Sequence, residues 1–265
     1  PENTVHWLNN LISQAHVNKA ERVRKSVEKK YEFSEGATVR LQVQLDETYK
    51  KQNSIFVLKP LLEGESESFH TRNSVIIAGA MMDYSSQRAA VSITLAAHNA
   101  GITVYQYDIS HASPQVSSFF SDLCKRNNTL YQINRSAGAL RPVFDGIANL
   151  KNSIAEGYVQ RVTASNLVSL FSNIPKSMPV IAVDSWTAHA AVLAGIERVI
   201  NCIPDSKPHF ASLCESAINI VQTHESWFQS ATLNALIRGK KDIVVPDKSN
   251  FLHSSGHFVE IETVK

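Results

Sequence analysis

The sequence predicts an α/β fold in which helices flank an open, mainly parallel sheet in a three-layer, Rossmann-like arrangement. Three observations predict it. VIIAGA (75–80) and PVIAV (179–183) are continuous apolar runs, the pattern of strands buried on both faces. Each gives way to a polar turn and then to a helical pattern that ends at glycine, AAVSITLAAHNAG (89–101) in the first case and a run closing at Gly195 in the second. Each helix is followed by another strand, ITVYQYDIS (102–110) and Arg198 to Ile203. A repeated β-α-β order of this kind builds parallel sheets through right-handed crossovers.

The remaining elements follow from periodicity. Residues 4–30 carry Val5, Leu8, Leu11, Ile12 and Ala15, with Val23 and Val27 beyond, on one helical stripe, which predicts an amphipathic helix. TVRLQVQL (38–45) alternates with period two and predicts a half-exposed strand at a sheet edge or in a hairpin with SIFVLKPL (54–61). GESESFHTRN (64–73) is polar and aperiodic, so it is a loop or linker. Residues 1–70 are therefore expected to form a helix-plus-hairpin extension, and residues 71–265 the Rossmann-like domain. Within that domain a helix is expected over 114–125, a strand over TLYQIN (129–134), and mainly helix over 136–173 with breaks near Pro142 and Gly157. AINIVQT (217–223) reads as a strand, SWFQSATLNALIRG (226–239) as a helix, and DIVVP (242–246) as the last strand.

Composition excludes several classes. The formal net charge of +2 is too small to argue for nucleic acid. The densest basic run, Lys19 to Lys30, is interleaved with Glu21 and Glu28, as on a solvated helix face. Cys124, Cys202 and Cys214 have no metal spacing, and an odd number forms no full disulfide framework; they read as buried thiols in a reducing, cytoplasmic compartment. No apolar run approaches the roughly 18 residues a spanning helix needs, and no signal peptide is legible. Pro1 in place of Met suggests an excised piece of a longer chain.

The chemistry gathers where strands end, the rim at which open α/β sheets bind ligands. After the first strand, GAMMDYSSQ (79–87) lacks the G-x-G-x-x-G that lets a diphosphate approach backbone N–H groups; Ala80, Met81 and Met82 follow Gly79. The turn instead offers Asp83, Tyr84 and Gln87 at a helix start, with Ser85 and Ser86 between them. Asp83 is either a cap or a ligand-facing carboxylate. The second strand end, DSWTAH (184–189), brings Asp184, Ser185, Trp186 and His189, again as a cap, a site or both. Asp108 with His111, and Gln222 with Thr223, complete the rim. We expect Asp83 and Asp184 to open onto one cleft, with Trp186 as an apolar platform. His189 is expected near the helix N-terminus, kept neutral by the dipole. No nucleophile elbow, zinc-protease motif, or pair of Cys or His at ligand spacing is present, so no metal or cofactor is expected.

Taken together, VIIAGAMMDYSSQRAAVSITLAAHNAGITVYQYD, PVIAVDSW, AINIVQT and the tail SSGHFVE (254–260) resemble the N-terminal, acceptor-side domain of GT-B glycosyltransferases. The lipid-linked GlcNAc transferase of peptidoglycan synthesis and the galactolipid synthases are examples. The similarity runs over about residues 73–262. Met81 and Met82 stand where that family has glycines, and Phe258 where its linker has proline. The resemblance implies an enzyme that moves a sugar from a nucleotide donor to a hydroxyl acceptor. Asp83 would then be the base, and Tyr84, Gln87, His111, Asp184, Ser185, Trp186, His189, Gln222 and Thr223 would shape the acceptor pocket. It also implies a second α/β domain or a protein partner for the donor. The rival readings are a catalytically inert Rossmann-like protein-binding module, and a nucleotide- or NAD-linked enzyme with an atypical first turn.

Overall fold

The computed structural model describes residues 5–8, 10–33, 38–49, 54–61, 69–136, 154–203 and 210–221, with backbone alone at 49, 127–136, 210 and 221. It is an α/β structure built on a mostly parallel seven-stranded sheet. The strands in chain order are β3 (Leu41–Leu45), β4 (Ile55–Pro60), β5 (Ser74–Gly79), β6 (Thr103–Asp108), β7 (Val180–Ala182), β8 (Val199–Ile203) and β9 (Ile218–Val221). Their spatial order is β3-β4-β6-β5-β7-β8-β9. Only β3 runs antiparallel to its neighbour, through a hairpin register that pairs Leu41 with Pro60 and Leu45 with Phe56.

β5 lies between β6 and β7, pairing Ile76 with Tyr105 on one side and with Val180 on the other, both parallel. That position explains its unbroken apolar text, since all six residues are buried. Alternation divides them. Ile76 and Ala78 join Tyr105, Tyr107, Val180 and Ala182 in the main core, while Val75 and Ile77 join Ile55, Val104 and Val183 in another. Full burial of an Ile such as Ile76 contributes about 1.5–3 kcal/mol.

Five helices are described: α1 (Gln14–Tyr31), α2 (Tyr84–Asn99), α3 (Pro114–Ser136), α4 (Ile154–Thr163) and α5 (Ser185–Leu193). Ala89 and Ala90 of α2 pack against Val75 and Ile77. Phe119 of α3, Leu170 and Phe171 of the 3-10 segment Ala164–Phe171, and Ala188 of α5 pack in the main core. Helix α5 stops at Gly195, whose φ of +82° is left-handed, and Ile196 N–H donates back to the Ala191 carbonyl.

Several expectations need correction. Residues 5–8 and 10–12 are not helical: β1 (Val5–Trp7) and β2 (Asn10–Ile12) pair antiparallel as a hairpin, and the helix begins only at Gln14. Trp7, off the expected stripe, is fully buried, whereas Leu11, on it, is 62% exposed. Apolar residues so closely spaced fit either period, and packing decides between them. The hairpin, α1 and α4 share a third cluster with Trp7, Leu8, Ile12, Ala20, Tyr158 and Val159.

The segment 129–134 is helix within α3 rather than strand. Both edges of β6 are already taken, by β4 and β5, so the segment that follows it cannot pair beside it. Gly157 does not break α4 but lies buried inside it. The β3–β4 hairpin pairs with β6, so the sheet continues across the boundary expected near residue 70. The predicted helix at 226–239, the strand at 242–246 and the tail motif at 254–260 lie outside the described residues.

Candidate functional site

The chain leaves β5 outward to β6 and later returns to β7 on the other flank of β5. This reversal makes the carboxyl ends of β5 and β7 the switch point at which such sheets open a crevice. Three turns meet there: Ala80–Asp83 after β5, Asp108–His111 after β6 and Val183–Ser185 after β7.

Gly79 allows the turns to approach. A Cβ on it would lie 2.2 Å from Val183 Cγ2 and 3.2 Å from Asp184 Oδ2. Beyond it the backbone donors of the first turn are consumed internally. Ala80 N–H donates to Asp184 Oδ2 at 2.8 Å, Met81 N–H to Asp108 Oδ1 at 3.4 Å, and Met82 N–H to the Ala80 carbonyl at 2.7 Å. In a dinucleotide site such N–H groups face phosphate. Here two carboxylates take that place.

Asp184 is both cap and cross-link. Its Oδ1 accepts from Thr187 N–H at 2.9 Å, and its Oδ2 accepts from Thr187 Oγ1 at 2.7 Å as well as from Ala80. Burial pushes its carboxyl above the usual range; the Thr187 and Ala80 bonds oppose the push and the charge of Asp83 adds to it. Asp83 caps α2, its two oxygens accepting from Ser86 N–H at 2.8 Å and Ser86 Oγ at 3.0 Å. Gln87 laces the same turn, Nε2 donating to the Met81 carbonyl at 2.9 Å. Tyr84 is 73% exposed, with the Arg88 guanidinium 5.6 Å from its ring centre.

The third turn has a different character. Asp108 Oδ1 accepts from Ser110 N–H at 3.0 Å and Ser110 Oγ at 2.6 Å, while Oδ2 lies 2.9 Å from His111 Nδ1. The His111 side chain is 78% exposed. A carboxylate therefore fixes one imidazole nitrogen and leaves the other toward solvent, an arrangement suited to proton transfer.

Other expected members are placed elsewhere. Trp186 is half-buried, its ring edge-on to Phe119 at 5.3 Å, and packs on the main core. His189 is 1% exposed and faces Trp7 at 6.5 Å between ring centres, so it points into the protein and not onto the rim. Its pKa falls to about 3 through burial first, with Arg161 adding to the effect. Gln222 and Thr223 lie outside the described residues. Sequence reasoning missed Gln160 of α4, whose Nε2 donates to Ser185 Oγ at 2.6 Å and to the Ala211 carbonyl at 2.9 Å. No local pattern in α4 announces that reach across 25 residues. Among the described residues, no three His, Cys, Asp or Glu side chains gather to hold a metal ion, and no helix is long and apolar enough to cross a membrane.

The model of a family described as a domain of unknown function, DUF6937, matches residues 6–231. No curated protein and no solved structure matches the chain.

Proposed function

We propose that this chain, which belongs to the DUF6937 family, binds a hydroxyl-bearing ligand at the rim of a three-layer, Rossmann-like sheet, as the acceptor side of a glycosyl transfer. The observation that carries the reading is the Asp108–His111 pair, 2.9 Å apart beside the β5 turn. With Nδ1–H donated to Asp108, His111 Nε2 takes the acceptor's hydroxyl proton as the oxygen attacks the sugar carbon. The bond to the donor's diphosphate breaks and its electron pair leaves with that group. Asp83, first choice as base from sequence, has both oxygens engaged by Ser86 and is the weaker candidate. The first turn, with its N–H groups already donated and carboxylates beside it, favours a neutral polyol over a phosphate. The donor would be held by a second α/β domain or a partner.

Saturation-transfer NMR with methyl glucoside, galactoside and N-acetylglucosaminide tests this. At least one glycoside should receive magnetisation from the wild type and none from His111→Ala, whose exposed ring leaves the fold unaffected. Silence from every glycoside, or an undiminished signal in the variant, refutes the reading.

One observation favours the inert binding module instead. On the outer face of α2, Tyr84 and Val91 are 73% and 45% exposed. That reading expects no glycoside contact, together with capture of one defined polypeptide by a photo-crosslinker placed at residue 84.

A further inference from the structure

Away from the rim, two polar side chains meet in the interior, each with a ring nitrogen that has no hydrogen-bond partner. Trp7 of the hairpin is fully buried and His189 of α5 is 1% exposed, and both Trp7 Nε1 and His189 Nε2 lack a partner. Their ring centres lie 6.5 Å apart with planes inclined by 51°. Buried polar groups are seldom left this way, because each carries a desolvation cost. A pair brought together from opposite ends of the described chain invites a functional account.

We propose that the Trp7–His189 contact is an acid-released latch: the amino-terminal hairpin docks on α5 while the imidazole is neutral and lifts away when it takes a proton.

The surroundings set the direction. A second proton on His189 would create an N–H with no acceptor beside it, in a site closed to water. The elements packed against α5 offer no compensating anion. The 3-10 segment Ala164–Phe171, β5 and β7 contain no charged residue. β8 contributes only the Cys202 thiol, which burial pushes up to about 12. From α4, Arg161 faces His189 with a like charge, and Glu156 of that helix pairs instead with Lys19. On β1 the other titratable group, His6, is exposed. Burial and Arg161 accordingly hold the folded pKa near 3, against 6.5 when water reaches the ring.

The cation regains water most cheaply by displacing the hairpin. Ala188, Ala190 and Ala191 of α5 are fully buried in the main core, whereas the hairpin has two strands of three residues in a separate, smaller cluster. Marginal units of that size open before cores do. Release would uncover Trp7, Leu8 and Ile12 as an apolar surface.

Hydrogen exchange with mass spectrometry, corrected for the intrinsic pH dependence of exchange, tests the latch. Peptides spanning residues 5–12 should lose protection about tenfold per pH unit between pH 6 and 4.5, while peptides of β5 and α5 keep theirs. His189→Gln, which does not titrate, should abolish the pH slope. Glu215→Gln should retain it, although Glu215 Oε1 accepts from Leu8 N–H at 2.9 Å and also ties down the hairpin. Constant wild-type protection, an unchanged slope in His189→Gln, a lost slope in Glu215→Gln, or simultaneous opening of β5 would each overturn the proposal. If His189→Gln does not fold, imidazole NMR on the wild type decides. His189 should gain its proton in step with hairpin exchange, and protonation under a protected hairpin refutes the latch.

Discussion

Asp184 Oδ2 accepts a hydrogen bond from Ala80 N–H at 2.8 Å, joining two turns that lie 104 residues apart in the chain. The same carboxylate caps α5 through Thr187. One side chain therefore fixes a helix start and the spacing of the central strand ends. Asp184→Ala should cost about 2–4 kcal/mol, the sum of a lost cap and an orphaned buried N–H. Asp184→Asn should cost less, because its single carbonyl oxygen keeps part of the network. Urea denaturation of both variants measures the difference, and equal stability of Asp184→Ala and wild type would refute the cross-link.

Gly79→Ala should destabilise by about 1–3 kcal/mol, the usual cost of overpacking. The new methyl would sit 2.2 Å from Val183 Cγ2, and a β-branched side chain held in a core has no easy alternative rotamer. Val183→Ala introduced beside it should recover part of the loss. If the double variant is less stable than Gly79→Ala by the full cost of Val183→Ala alone, the two sites do not clash.

Nucleotides should bind weakly or not at all. Three successive N–H groups, of Ala80, Met81 and Met82, already donate within the protein, two of them to carboxylates that would repel a diphosphate. Calorimetry with UDP, GDP and NAD should detect no affinity tighter than about 100 μM, or roughly 5.5 kcal/mol. Tight binding of any of them would return the dinucleotide reading to first place.

Acid should act on buried His189 and half-buried Asp184 in opposite directions. His189 has its folded pKa lowered, so the stability it contributes is complete above 6.5 and is lost as pH falls toward 3. Asp184 has its folded pKa raised above 3.8, so its ionised form is a cost at neutral pH that is relieved as pH falls through the folded value. Calorimetric Tm should therefore drop below pH 6.5 in the wild type and drop more steeply in Asp184→Asn, which lacks the relief. Parallel curves would contradict the assignment for Asp184.

Thiol chemistry should be confined to one position. Burial pushes Cys202 and Cys214 up to about 12, leaving almost no thiolate at pH 8. Iodoacetamide under native conditions should label Cys124 on α3 before Cys202, which is equally half-buried but has its thiol pushed up, and well before the fully buried Cys214. Peptide mapping that finds Cys214 modified first would show that the segment around it opens.

The sequence by itself determined what depends on local pattern. Unbroken apolar runs at 75–80 and 179–183 required strands covered on both faces, and β5 and β7 are paired inside one sheet. Alternation at 38–45 required a half-exposed strand, at a sheet edge or in a hairpin, and β3 is both, the edge strand paired antiparallel with β4. Short acidic side chains ahead of helical runs required caps, and Asp83 and Asp184 are both caps. Tertiary structure decided whatever depends on competition for neighbours. Val5–Ile12 suits either period, and burial of Trp7 beneath the hairpin selected strands. TLYQIN had strand character, but β4 had already filled the edge of β6. The sheet order alone brought Asp108 and Asp184 to the N–H groups of Ala80 and Met81, which turned a would-be phosphate cradle into a carboxylate-laced rim. His189 lies one turn into its helix, where sequence cannot say which way a ring points. The space under Trp7 was apolar and closed, and removal from water set both its direction and its neutrality.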